Sequence, residues 1–157
     1  MGHDPAMFRD SVEGSALKMT ASMDERATRA DYAKRYRLRA SATVVDEAER
    51  EVIGDVWGAN GFTTVDQAED LRRRLELDTS SRLLDVGSGC GWPGLWLAQQ
   101  TGCEVVVTDL PPEGLEVASR RAKAEGLRSL GAVAASARRF PFAEGSFDAV
   151  VHVDLIC

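Results

Sequence analysis

The sequence predicts an α/β fold: a parallel sheet with helices on both faces, preceded by an N-terminal helical extension. Three observations carry this. Arg82–Gly94 reads as a short buried strand that runs into a glycine turn and then a helix start. Glu104–Asp109 holds three consecutive valines, Val105, Val106 and Val107, as expected of a strand buried on both faces in a parallel sheet. Around these strands apolar residues recur at helical spacing, so strands and helices alternate as in βαβ units.

In chain order, residues 1–22 are polar and small with no sustained periodicity, which predicts a mobile or loosely packed start. Asp24–Arg39 predicts a helix with Tyr32 and Tyr36 on one face. Its basic residues interleave with Asp24, Glu25 and Asp31, the pattern of a solvated face rather than a binding patch. Val44–Val56 predicts a second helix, weakened at Gly54 by about 1 kcal/mol relative to alanine. The turn-rich loop Trp57–Phe62 either anchors its aromatics in the core or lines a pocket with them. Thr64 and Gln67 form a capping box for a helix carrying Val65, Ala68, Leu71 and Leu75 and ending near Leu77. Arg72, Arg73 and Arg74 fall in its last turns, where the helix dipole favours cations.

Leu83, Leu84 and Val86 then form the first strand, and Gly87, Gly89 and Gly91 follow at alternate positions. Pro93 suits the first helical position, and Gly102 suits the end of that helix. Such a strand–turn–helix is expected to leave backbone N–H groups unpaired at the strand's C-terminal end, where open α/β sheets bind ligands. Asp85 narrows the ligand. A dinucleotide would bring an anionic pyrophosphate beside this carboxylate, whereas a cationic ligand reverses the sign of that interaction. The third glycine of a dinucleotide fingerprint would fall at Trp92, and no Gly-Lys-Ser/Thr follows to make a P-loop. The plainer reading is an ordinary glycine-rich turn of some other α/β protein.

After the valine strand, Asp109 ends β-type sequence at the position where nucleotide-binding folds place a ribose acceptor; it also suits a helix N-cap. Pro111-Pro112 opens a helix with Leu115, Ala118 and Ala122 that stops at Gly126. Ala132–Ala135 is a weak third strand, and Phe140 and Phe142 are expected in the core. Ser146-Phe147-Asp148 turns into a fourth strand, with His152, Val153 and Asp154 at its C-terminal end. His152 suits a general base at neutral pH, or is a packed strand histidine.

The 157 residues, 44% hydrophobic, fit one domain with a real core. A net charge of −6 disfavours non-specific nucleic-acid binding. Cys90, Cys103 and Cys157 lack metal-ligand spacing and suit free thiols in a reducing cytoplasm. No apolar run approaches the ~18 residues of a membrane span.

Leu84-Asp85-Val86-Gly87-Ser88-Gly89-Cys90-Gly91 resembles the first motif of the class I S-adenosylmethionine-dependent methyltransferases. The resemblance implies a Rossmann-like sheet of order 3-2-1-4 with the C-terminal strands absent. It divides the chain into a helical extension or lid, residues 1–78, and the N-terminal half of a cofactor-binding core, residues 79–157. It implies S-adenosyl-L-methionine as cofactor, held by Asp85, Gly87, Ser88, Gly89 and Gly91, by Asp109 and Leu110, and by Ser136, Ala137 and Arg138 at the adenine. Here the sequence departs from the family, because Ser136 stands where an acidic residue would accept the adenine amino group. The resemblance sets His152 and Asp154 towards the methyl-transfer site, with no metal. N-terminal helices in this family often close over the cofactor, so Tyr32 and Tyr36 reach it or simply pack the helix. No Asn-Pro-Pro-Tyr follows the fourth strand, which points to a small-molecule acceptor attacking the sulfonium methyl in line. A sequence ending here is expected to be part of a longer chain, or to pair its fourth strand with another copy. A non-catalytic S-adenosylmethionine-binding module and, third, an NAD-dependent oxidoreductase are the competing classes.

Overall fold

A computed structural model of the protein describes residues 23–39 and 43–154; the polar stretch 1–22 and Cys157 lie outside the described residues. The elements run α1 (Met23–Arg39), α2 (Thr43–Ile53), α3 (Val65–Leu75), β1 (Arg82–Val86), α4 (Gly94–Thr101), β2 (Glu104–Asp109), α5 (Pro112–Ala124), β3 (Ser129–Ala134) and β4 (Ala149–His152). The strands form one parallel sheet in the order β3-β2-β1-β4, the order that the resemblance implies. Leu84 at the centre of β1 sits beside Val106 of β2 and Val150 of β4.

The two β-crossovers that step from β1 to β2 to β3 travel in the same direction. Right-handed connections then put both of their helices on one face of the sheet. The packing agrees: Leu83, Val105, Val107 and Val151 share a core with Leu95, Leu97 and Ala98 of α4 and with Leu115, Ala118 and Ala122 of α5. Ala68 of α3 and Ile53 and Trp57 join the same cluster. The alternate residues Leu84, Val86 and Val106 face the other way, against Leu130, Val133, Phe142 and Phe147. The return from β3 to β4 runs back past β2 and β1, and it contributes those two phenylalanines.

Local boundaries follow backbone chemistry. α2 stops at Ile53, short of the predicted Val56, because Gly54 takes a positive φ of 101°. The capping box of α3 is formed: Thr64 Oγ1 accepts Gln67 N–H at 3.3 Å, and Gln67 Oε1 accepts Thr64 N–H at 2.9 Å. That helix ends at Leu75 rather than near Leu77, with Glu76 in the left-handed region. α4 begins one residue after Pro93, which is its cap residue, and ends at Gly102 as predicted. β3 starts at Ser129, earlier than expected, since its ladder with β2 begins at Val105. Trp57 anchors its loop in the core, whereas Phe62 is 80% exposed. Phe140 is 39% exposed and lies outside the core clusters, while Phe142 packs edge-on to Phe147 at 5.1 Å.

Candidate functional site

A cavity of about 560 Å³ opens at the C-terminal ends of the strands. Its floor is the turn Val86–Gly89, and its sides are Asp109–Pro111 after β2, Ala135–Arg138 after β3, and Val153 and Asp154 after β4. Ala59, Asn60, Gly61 and Trp92 close one end, and Glu25, Thr28, Tyr32 and Tyr36 of α1 form the roof. Position and size are those of a small-molecule site in an open α/β sheet.

The glycine turn is more internally bonded than its sequence suggests. Gly87 and Ser88 N–H groups both donate to Thr108 O, at 2.8 and 2.9 Å. Gly89 N–H donates to Asp109 Oδ2 at 2.8 Å, and Gly91 and Trp92 N–H donate to Ser88 O at 2.8 and 3.1 Å. Five of the donors expected here are therefore already engaged, which leaves the turn a poorer cradle for a diphosphate than an open helix N-terminus. Gly89 sits at φ 54°, and a Cβ on it would lie 2.8 Å from Tyr36 Oη. Glycine there leaves the backbone open to close approach from the cavity.

Asp85 requires a correction. It is 1% exposed and off the cavity wall. Side chains alternate along a strand, so Asp85 shares the face of Leu83, under α4, and not that of Val86. Its Oδ2 accepts Gly94 N–H at 2.8 Å, and Oδ1 has no hydrogen-bond partner among the described residues. Burial, opposed by the Gly94 N–H and reinforced by Asp109, pushes its pKa up to about 8. A carboxyl that is mostly neutral at pH 7 and buried beneath a helix makes no contact with a cation in the cavity. Asp85 instead fixes the start of α4. Gly91 is likewise off the wall; a Cβ there would meet Leu95 Cδ1 at 2.4 Å, so glycine is needed for packing.

His152 is exposed and also off the wall, against expectation. Asp154 is on it. Its Oδ2 accepts Thr63 N–H at 3.1 Å and Thr63 Oγ1–H at 2.8 Å, which ties the loop before α3 to the end of β4. Trp92 Nε1–H donates to Thr63 O at 3.0 Å and fastens the same loop to the glycine turn.

Gly87, Ser88, Gly89, Asp109, Leu110, Ser136, Ala137 and Arg138 all line the cavity. Asp109 gathers donors from three directions: Leu110 N–H on Oδ1 at 2.6 Å, and Gly89 N–H and Tyr36 Oη–H on Oδ2 at 2.8 and 3.0 Å. Burial raises its pKa despite those bonds. Burial and the Asp109 charge together raise that of Tyr36. Tyr36 thus packs α1, as the plainer reading has it, and also reaches the cavity. Ser136 Oγ–H donates to Glu25 Oε1 at 2.6 Å. Glu25, Asn60 and Trp92 are wall residues that sequence reasoning missed. The signal for Glu25 was present: Glu25, Thr28, Tyr32 and Tyr36 are spaced as one helical stripe.

The strand order, the cavity position and a match of residues 83–157 to a methyltransferase domain family converge. The model that matches residues 83–157, just under half of the chain, is that of a methyltransferase domain. The chain is 39% identical over 87 residues to Methyltransferase GfsG of Streptomyces halstedii, covering 55% of this chain and 31% of that protein. It is 40% identical over 88 residues to a demethylmenaquinone methyltransferase of Thermus thermophilus, covering 52% of this chain and 40% of that one. The chain therefore spans less than half the length of either relative. An S-adenosylmethionine-dependent methyltransferase from Thiobacillus denitrificans, in complex with S-adenosyl-L-homocysteine, superposes with a TM-score of 0.54 at 23% identity, over 72% of this chain and 44% of that one. At that identity the likeness speaks for the fold alone.

Proposed function

We propose that this chain binds S-adenosyl-L-methionine and forms the cofactor half of an enzyme that methylates a small molecule. The observation that carries the reading is Asp109, held on the cavity wall between the glycine turn and β2 by the N–H groups of Gly89 and Leu110. A carboxylate so oriented accepts hydroxyl donors from a ribose. Gly87–Gly89 give the backbone close approach, and Leu110 and Ala137 supply apolar contact for a flat ring. The cavity volume suits a nucleoside-sized ligand, so the residues present fit the cofactor.

The cofactor, when bound, supplies an already activated methyl group. The chain's part is to orient and to exclude water. α1 covers the cavity, and the loop held by Asp154 and Trp92 closes one end. Asp154 is the candidate to accept a proton or orient the acceptor; His152, facing solvent, is not. In this reading the helical extension, residues 1–78, supplies the lid through α1, and residues 79–157 are the N-terminal half of the cofactor-binding core.

Isothermal titration of the chain with S-adenosylhomocysteine and with NAD tests this. Binding of the first and not the second is expected; the reverse would return the oxidoreductase reading, which the engaged N–H groups of the turn oppose. Because the chain spans under half of its relatives, binding without turnover is a second reading, separated by a methyl-transfer assay. Buried thiols at Cys90 and Cys103 suit a cytoplasmic setting. No helix of the described residues is long and apolar enough to cross a membrane. Self-association along β4, where Val150 is 56% exposed at the sheet margin, belongs to the same proposal; a monodisperse monomer in light scattering would count against it.

A further inference from the structure

We propose that Glu25, delivered by α1, is the acidic acceptor for the exocyclic amine of the cofactor's adenine. This rests on the reading that the cavity holds S-adenosylmethionine. The wall after β3 is Ser136, Ala137 and Arg138, which contains no carboxylate. Adenine presents a single exocyclic donor along its hydrogen-bonding edge, and a charged acceptor holds such a donor more strongly than a hydroxyl does. Glu25 restores that charge from another part of the chain. Its Oε1 lies 2.6 Å from Ser136 Oγ and 3.9 Å from Arg138 Nε, and its side chain is only 16% exposed.

The placement fits a nucleoside. Ala135 N–H donates to Asp109 O at 3.0 Å, so Ser136 and Asp109 stand on adjoining strand ends. α1 crosses both: its stripe Glu25, Thr28, Tyr32 and Tyr36 faces the cavity, with Glu25 at Ser136 and Tyr36 at Asp109. A ribose at Asp109 therefore directs its base towards Ser136 and Glu25.

The test compares S-adenosylhomocysteine with S-inosylhomocysteine, in which a carbonyl replaces the amine, by titration against the 157-residue chain and Glu25→Gln. A glutamine amide keeps the shape, removes the charge and offers a donor to the inosine carbonyl. The unsubstituted chain is expected to prefer the adenosyl ligand by about tenfold or more, as for a hydrogen bond to a charged group. In Glu25→Gln that preference is expected to shrink to about threefold or less, with the melting temperature showing an intact fold. Equal weakening of both ligands, or an undiminished preference, overturns the assignment of Glu25 alone. Binding of neither ligand to the unsubstituted chain overturns the cofactor reading and this inference with it.

Discussion

The Tyr36 hydroxyl donates to Asp109 Oδ2 at 3.0 Å, joining α1 to the end of β2 across 73 residues of sequence. With Gly89 and Leu110 N–H, this brings three donors to one carboxylate, close to its capacity of roughly four. A ribose offers two hydroxyls, so Tyr36 has to yield. Tyr36→Phe is therefore expected to tighten S-adenosylhomocysteine binding by about three- to tenfold, because a hydrogen bond to a charged group no longer has to be broken. The same change removes a tie between lid and core, and the ligand-free chain should lose about 1.5 kcal/mol. Titration and thermal unfolding read the two effects, and unchanged affinity would remove Tyr36 from the binding equilibrium.

Asp109→Ala takes away the ribose acceptor itself. Affinity for S-adenosylhomocysteine should fall by at least about tenfold, the value of one charge-assisted hydrogen bond. Gly89 and Leu110 N–H lose their acceptor at the same time, so the variant's melting temperature has to be followed alongside. Retention of full affinity would mean that the ligand sits elsewhere.

Asp85 gives the chain a pH signature. Its folded pKa lies near 8, above the ordinary carboxylate value of 3.8, so the folded chain holds a proton that the unfolded chain releases between those limits. Its contribution is fully present below about pH 4 and is lost as pH rises through 8. The melting temperature should fall across that interval, and Asp85→Asn should flatten the fall even where it lowers the stability overall. An unchanged slope in the variant would assign the effect to other groups.

Gly61 tests the loop at the acceptor end of the cavity. A Cβ on it would lie 2.1 Å from the Asp154 carboxylate. Gly61→Ala should push Asp154 off Thr63 and cost about 1–3 kcal/mol, as overpacking does. Amide exchange should quicken in residues 60–64, while Glu49, whose Oε1 accepts the N–H groups of Trp57 and Ala59 at 3.0 and 2.7 Å, keeps the start of the loop in place. No change in exchange would show that Asp154 does not hold the loop.

The sheet was legible because its signals are local. Three valines in a row, a glycine turn and a Thr64–Gln67 box each act over a few residues, and each appears where the sequence puts it. The orientation of Asp85 was also legible but was read as charge rather than parity: Leu83 and Asp85 alternate with Leu84 and Val86, so a helix covering Leu83 must also cover Asp85. Glu25 was legible only in part. Its spacing with Thr28, Tyr32 and Tyr36 marks one stripe of α1, but nothing local says that this stripe meets Ser136; the ties of Tyr36 to Asp109 and of Arg37 to Glu113 dock the helix and bring a carboxylate 111 residues away in sequence to it. Contacts between distant segments of this kind depend on packing rather than on any local pattern.

The floor of the cavity is complete before anything binds, since Thr108 and Asp109 already hold Gly87, Ser88 and Gly89. The roof differs: the Tyr36 hydroxyl sits on Asp109, where a ribose would have to displace it. Where release of that bond precedes binding, the observed rate in stopped-flow mixing should level off at high ligand concentration instead of climbing in proportion to it.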